Sequence, residues 1–145
     1  MPILIRPISV ADFADWHPLA QGYKAFYETP TTECEYSQAW ERLTARGMSH
    51  GLAAWSGDRM VGIAHYLFHA STWTDKVCYL QDLFTLPESR GQGVARALIA
   101  ATASAARAGG ASRYYWLTQA HNETARHLYD KVAKFHGFIR YDHPL

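Results

Sequence analysis

The hydrophobic period of this chain changes twice, and that order of changes restricts the fold more than any other feature. From Gly51 onward apolar residues recur at every second position, whereas the segments before Gly51 and after Arg90 carry them at helical spacing. Leu52 to Trp55, a Ser56-Gly57-Asp58 turn and Met60 to Phe68 read as an antiparallel hairpin, followed by a third strand from Val77 to Leu86. Upstream, Ile3 and Ile5 predict a short first strand ending at Pro7. Ser9 then caps a helix carrying Phe13, Trp16 and Leu19, which Pro18 is expected to kink or divide, and Tyr23, Phe26 and Tyr27 resume it until Thr29-Pro30. A second helix is predicted from Tyr36 to about Arg46, with Trp40 and Leu43 on one side and Gly47 at its end.

Downstream, Val94, Ala97, Leu98, Ala101, Ala105 and Ala108 give a helix with a small inner face, able to lie close against the strands before it, and Gly109-Gly110 ends it. Tyr114 to Leu117 predicts a strand, Asn122 to Val132 a helix, and Phe138 to Tyr141 a last strand. The order β-α-α-β-β-β-α-β-α-β defines an α/β fold: a mixed, mostly antiparallel sheet with helices on both faces, in which only the late crossover must be parallel. With 145 residues and 48% hydrophobic content, one domain spanning 1–145 is expected.

Several function classes are excluded at this level. A net charge of +1 provides no basic field for nucleic acid. No apolar run is long enough for a membrane span, and Asp12 and Asp15 interrupt the region a signal peptide would need, so a soluble cytoplasmic protein is expected. Cys34 and Cys78 form no CxxC pair, and the eight histidines form no HExxH or HxH pattern, so neither a disulfide framework nor a metal site is expected.

The run Arg90-Gly91-Gln92-Gly93-Val94-Ala95 falls where a strand ends and a helix begins. Free backbone amides and the helix dipole meet there, and two residues without Cβ allow the backbone to close around phosphate oxygens, with Arg90 and Arg96 adding charge. Taken alone, such a run is equally an ordinary glycine-bearing turn that caps a helix. It lacks the GK[ST] of a P-loop and the third glycine of the dinucleotide fingerprint.

The segment Tyr79-Leu80-Gln81-Asp82-Leu83-Phe84-Thr85-Leu86-Pro87-Glu88-Ser89 leading into Arg90-Gly91-Gln92-Gly93-Val94-Ala95 resembles the GCN5-related N-acetyltransferase family, whose signature is [QR]xxGx[GA]. Asn122-Glu123-Thr124-Ala125-Arg126-His127-Leu128-Tyr129 is similar to the family's second motif, NxxAxxLY, and the phrases around His69 to Trp73 and Leu128 to Ala133 look most like its Hpa2-type subgroup. The resemblance covers essentially the whole chain. It implies an acetyl-CoA-dependent N-acetyltransferase acting on a primary amine of a small molecule (a polyamine, a diamine or an amino-acid-like compound) or a basic peptide.

By that resemblance the backbone of Leu83, Phe84 and Thr85 pairs with the pantetheine arm, and amides from Gly91, Gln92, Gly93, Val94, Ala95 and Arg96 hold the pyrophosphate. Asn122 contacts the cofactor, and Tyr129 gives its phenol hydrogen to the departing thiolate. Asn122, Ala125 and Tyr129 are spaced three and seven apart, within about 60° of one another on a helix. Without the motif, Tyr129 reads equally as a core aromatic.

A proton acceptor for the amine is not named by the sequence. Polyamine-acetylating relatives often carry glutamate where this chain has Gln81, and Asp82 is expected to point to the opposite face of its strand. A water relay involving Glu28, Glu33 or a histidine is an alternative. Tyr23, Tyr27, Glu28, Glu33, Glu35 and Trp73 are expected around the acceptor, where acids beside aromatics suit a cationic amine. Two other functions share these features: acetylation of a protein or histone-tail lysine, and a non-catalytic acyl-CoA sensor. Trp73, Phe135 and Phe138 suggest a subunit contact, and the resemblance implies a homodimer or larger homo-oligomer.

Overall fold

The computed structural model describes residues 2–145. Strand β1 (Ile3–Pro7) leads through a short 3₁₀ turn into α1 (Phe13–Phe26) and α2 (Glu33–Leu43). Strands β2 (His50–Ser56), β3 (Arg59–His69) and β4 (Val77–Thr85) follow, then α3 (Val94–Ala108), β5 (Arg113–Tyr115) and α4 (Glu123–Val132). The strands lie in sequence order β1-β2-β3-β4-β5. Every pairing is antiparallel except β4 with β5, which closes the late crossover.

The two faces of the sheet carry separate cores. On one, α1 and α2 bring Trp16, Leu19 and Tyr36 against Ala53, Trp55, Ile63 and Phe84. On the other, Val94, Leu98 and Ile99 of α3 cover Leu52, Val61, Ala64 and Leu80, with Leu128 and Tyr129 of α4 packed beside them. Alternating side chains of one strand therefore serve opposite cores, as Ala53 and Ala54 do on β2. The buried line of α3 runs through Val94, Leu98, Thr102 and Ala106, while Ala108, expected on the inner side, is exposed. The β2–β3 connection is the two-residue turn Gly57-Asp58; Ser56, expected in the turn, is the last residue of β2.

Four elements differ from expectation. Pro18 neither kinks nor divides α1, which runs unbroken through it. The carbonyl that loses its partner is Ala14, in the first turn, and burial of Trp16, Leu19 and Ala20 on both sides of the proline holds the helix in place. Helix α2 begins at Glu33 because Thr32 and Glu35 form a reciprocal capping box, the Thr32 hydroxyl accepting from Glu35 N–H at 3.2 Å and the Glu35 carboxylate from Thr32 N–H at 3.0 Å. The strand expected from Tyr114 to Leu117 is the shorter β5. The last expected strand is absent: among the described residues Phe138 to Tyr141 pair with no strand, and Phe138 and Tyr141 are 85% and 87% exposed. A strand needs a ladder partner, and this segment has none among them.

Candidate active site

The sheet opens between β4 and β5. These strands pair only from Val77 to Tyr79 on β4, so from Leu80 to Thr85 the outer edge of β4 has no strand beside it. An open edge of this kind offers backbone donors and acceptors to an extended, amide-bearing arm. Leu83 lies toward α3 and Phe84 toward α1, so both side chains serve the cores while their backbone borders the opening. At Thr85 the carbonyl accepts from Arg90 Nε at 3.2 Å, which ties the end of the strand to the loop that follows.

That loop starts α3. Gly91 and Gly93 have φ of +76° and +82°, conformations in which other residues are strained, and Gly93 is the N-cap of the helix. No side chain caps the first turn and no acidic residue stands in it. Its amides are therefore free, and a Cβ built on either glycine would meet nothing within 4 Å, so the space in front of them is open. Gln92 and Arg96 are exposed beside the loop, Ala95 is half-buried, and Val94 is sunk into the core where it anchors the turn. These features fit a pyrophosphate.

Tyr129 of α4 is half-buried beside the α3-side core, with its ring 5.4 Å from that of Trp116. Burial and the nearby phenol of Tyr27 raise its pKa to about 12. Asn122 caps α4: its side-chain oxygen accepts from Ala125 N–H at 3.4 Å and its amide donates to Thr118 Oγ1 at 3.4 Å. The asparagine of the second motif thus sets where the helix begins, and with it the position of Tyr129.

Of the residues expected around the acceptor, the structure brings Tyr27 and Asp82 together. Burial, then the Asp82 charge, raises the pKa of both Tyr23 and Tyr27. Glu33, at the start of α2, instead lies 3.0 Å from His17 Nε2. Glu28 is exposed just beyond α1 with φ of +52°, Gln81 is exposed on β4, and Trp73 is 89% exposed in the β3–β4 connection.

The expectation for Asp82 is corrected. The β3–β4 register passes from His65↔Asp82 to Tyr66↔Leu80, so Gln81 is an extra residue on β4. This bulge reverses the alternation: Leu80 joins the α3 core, whereas Phe84, four residues on, joins the α1 core. Asp82 therefore faces α1, where the acceptor is expected. His65 Nδ1 lies 3.0 Å from Asp82 Oδ2, and Trp16 Nε1 donates to His65 Nε2 at 2.9 Å. Burial alone would raise the Asp82 pKa, but hydrogen bonds from His65 and Tyr23, with the Lys24 charge, hold it below the ordinary carboxylate range. Neither His65 nor Trp16 belongs to any motif of the sequence. Among the described residues no group of three or more His, Cys, Asp or Glu is placed to hold a metal ion, and no helix is long and apolar enough to cross a membrane.

A helix-start loop with free amides and an open strand edge beside it suit a ligand that carries a diphosphate and an amide-bearing arm. The profile of the acetyltransferase (GNAT) family matches residues 15–135, and the chain belongs to that family. It is an acetyl-CoA-dependent acyltransferase. Over 140 residues it is 31% identical to the D-amino-acid N-acetyltransferase HPA3 of Saccharomyces cerevisiae, covering 90% of this chain and 84% of that protein. It is 36% identical over 104 residues to the thialysine N-epsilon-acetyltransferase of Mus musculus, a match covering 72% of this chain but only 56% of the relative. Among solved structures, the ribosomal-protein-alanine N-acetyltransferase from Brucella melitensis biovar Abortus 2308 shares the fold, with a TM-score of 0.85 at 20% identity and coverage of 99% of this chain and 100% of that one. So does the aminoglycoside N-acetyltransferase AAC(6')-Iy in complex with CoA, with a TM-score of 0.80 at 18% identity and coverage of 99% and 92%.

Proposed function

We propose that this protein transfers the acetyl group of acetyl-CoA to the primary amine of a small, amino-acid-like acceptor by direct attack. The observation that carries this reading is the uncapped start of α3 behind Gly91 and Gly93, tied through Arg90 to the end of the β4 edge that no strand covers; the half-buried Tyr129 phenol supports it. Bound acetyl-CoA supplies a thioester carbonyl, at which a C–N bond forms as the C–S bond breaks. Gly91 to Arg96 bind the pyrophosphate, the backbone of Leu83 and Phe84 orients the arm, Asn122 sets the start of α4, and Tyr129 donates a proton to the departing sulfur. The carboxylate of Asp82 and the rings of Tyr23 and Tyr27 give the acceptor side the character that suits a cationic group. The names of the yeast and mouse relatives support a small acceptor.

The test is CoA release from acetyl-CoA with D- and L-amino acids, thialysine, polyamines and a lysine-bearing peptide. Turnover of at least one small amine is expected. Turnover of the peptide alone would make the protein a lysine acetyltransferase, and tight acetyl-CoA binding with no turnover would make it a sensor.

We further propose that the protein works in the cytoplasm as a homodimer or larger homo-oligomer. Two free thiols support the compartment. The C-terminal segment supports the assembly: Phe135, Phe138, Ile139 and Tyr141 are all at least 64% exposed, close in sequence to a groove of about 330 Å³ that includes Ile99, Trp116 and Val132. Ending the chain at Lys134 is expected to shift the mass measured by light scattering to that of a monomer, whereas an unchanged mass would separate the segment from assembly.

A further inference from the structure

The bulge at Gln81 gives Asp82 surroundings that are unusually complete for a residue on a cleft wall. At the inner end Trp16, 1% exposed, donates its indole N–H to His65 Nε2 at 2.9 Å. A nitrogen that accepts a hydrogen bond carries no proton, so the neutral imidazole must hold its hydrogen on Nδ1. That hydrogen points at Asp82 Oδ2, 3.0 Å away, and so His65 donates to the carboxylate. The sequence Trp16 to His65 to Asp82 starts sealed in the core and ends at a side chain one quarter exposed in the cleft. Tyr23 and Tyr27, on successive turns of α1, bring their phenols toward the same carboxylate, Lys24 adds a distant positive charge, and Tyr79 faces it from β4. Among the described residues no lysine or arginine forms an ion pair with Asp82, and with the imidazole neutral the groups that hydrogen-bond it, His65 and Tyr23, are neutral donors.

A carboxylate held in place by a tautomer-locked imidazole is positioned to receive a proton from the acceptor side. We propose that Asp82 takes the proton from the acceptor nitrogen during acetyl transfer, and that His65 and Trp16 are positioning residues that hold it toward the acceptor. The inference rests on the acetyl-transfer reading above. As the C–N bond forms, the nitrogen becomes cationic and its N–H proton passes to Asp82; as the C–S bond breaks, Tyr129 gives a proton to sulfur. The proton on Asp82 then returns to solvent and Tyr129 is reprotonated from solvent, so a neutral amine and a thioester become an amide and a thiol with no proton gained or lost. Its weakened proton affinity lets Asp82 release what it has taken.

Two measurements test this. The first is the imidazole ¹⁵N spectrum of the whole protein without ligands, with His65 assigned through His65→Gln. The Nδ1–H tautomer is expected, shifting toward the Nε2–H form in Trp16→Phe; an Nε2–H tautomer in the unaltered protein would overturn the relay. The second is the pH dependence of turnover. Asp82→Asn is expected to lower kcat by about a hundredfold with KM for acetyl-CoA unchanged, and to restore rate about tenfold per pH unit where the unaltered enzyme is level. His65→Leu should lose about tenfold, with partial rescue by His65→Gln, whose amide can still donate. If the unaltered enzyme turns over amines and Asp82→Asn matches it at every pH, Asp82 is not the acceptor and acetyl transfer stands. If no amine is turned over at all, the functional reading fails while the ¹⁵N spectrum still decides whether the relay exists.

Discussion

Tyr129→Phe is expected to lower kcat by about a thousandfold while leaving acetyl-CoA affinity within about twofold. The phenylalanine keeps the ring that packs 5.4 Å from Trp116 and loses only the hydroxyl, so helix α4 and the core beside it should be unaffected. On the proposed role, what disappears is the proton donor to the departing sulfur, at a half-buried position where a developing charge gains little from water. The pH dependence follows from the environment of the phenol. Burial, reinforced by Tyr27, raises its pKa to about 12, so the phenol stays almost wholly protonated, and thus competent as an acid, across the ordinary working range. Activity should therefore show no alkaline decline from Tyr129 up to about pH 10. Steady-state kinetics with saturating acetyl-CoA, beside isothermal titration of CoA, separates this outcome from a structural role. Equal loss of turnover and cofactor affinity would mean that Tyr129 shapes the cleft and donates nothing.

The parts of the fold that could be read in advance are those whose signals are local. The alternation from Leu52 to Phe68 and the small-faced helix from Val94 each repeat one period long enough to dominate, and they become β2, β3 and α3. Pro18 was misleading because a proline's cost depends on what surrounds it, and here the flanking residues are buried in the α1 core. Phe138 to Tyr141 have the composition of a strand, but a strand exists only with a partner, and composition does not supply one. The site divides in the same way. The strand-to-helix loop at Gly91 to Gly93 is built within a few residues and was legible as a helix start, whereas the capping role of Asn122 was not, because the motif draws attention to the cofactor. The Trp16–His65–Asp82 network joins residues 49 and 17 positions apart and depends on one inserted residue at Gln81, for which strand alternation carries no sign. Strict alternation placed Asp82 on the wrong face, and with it the carboxylate that the bulge turns toward α1.

The other large effect belongs to the loop. Gly93→Asp is expected to weaken CoA binding by about a hundred- to a thousandfold with little change in the melting temperature. Two contributions add. Gly93 has φ of +82°, where an L side chain costs about 1–2 kcal/mol, so the loop is drawn toward conformations in which its amides no longer converge. The new carboxylate also stands at the N-cap, ahead of first-turn amides that no side chain now engages. It can accept from those amides as ordinary helix caps do and so occupy the donors that a pyrophosphate needs, at about 1.5–3 kcal/mol for a hydrogen bond to a charged group. The same capping bond offsets the backbone strain in the free protein, which is why affinity should fall much further than stability. Gly93→Ala separates the two contributions: it keeps the strain, adds no acceptor and fills only open space, so its loss should be about tenfold. Isothermal titration of both variants with CoA and with a pantetheine fragment lacking the diphosphate checks the assignment. Both should bind the fragment as the unaltered protein does, and a parallel loss of fragment affinity would move the pyrophosphate away from this loop.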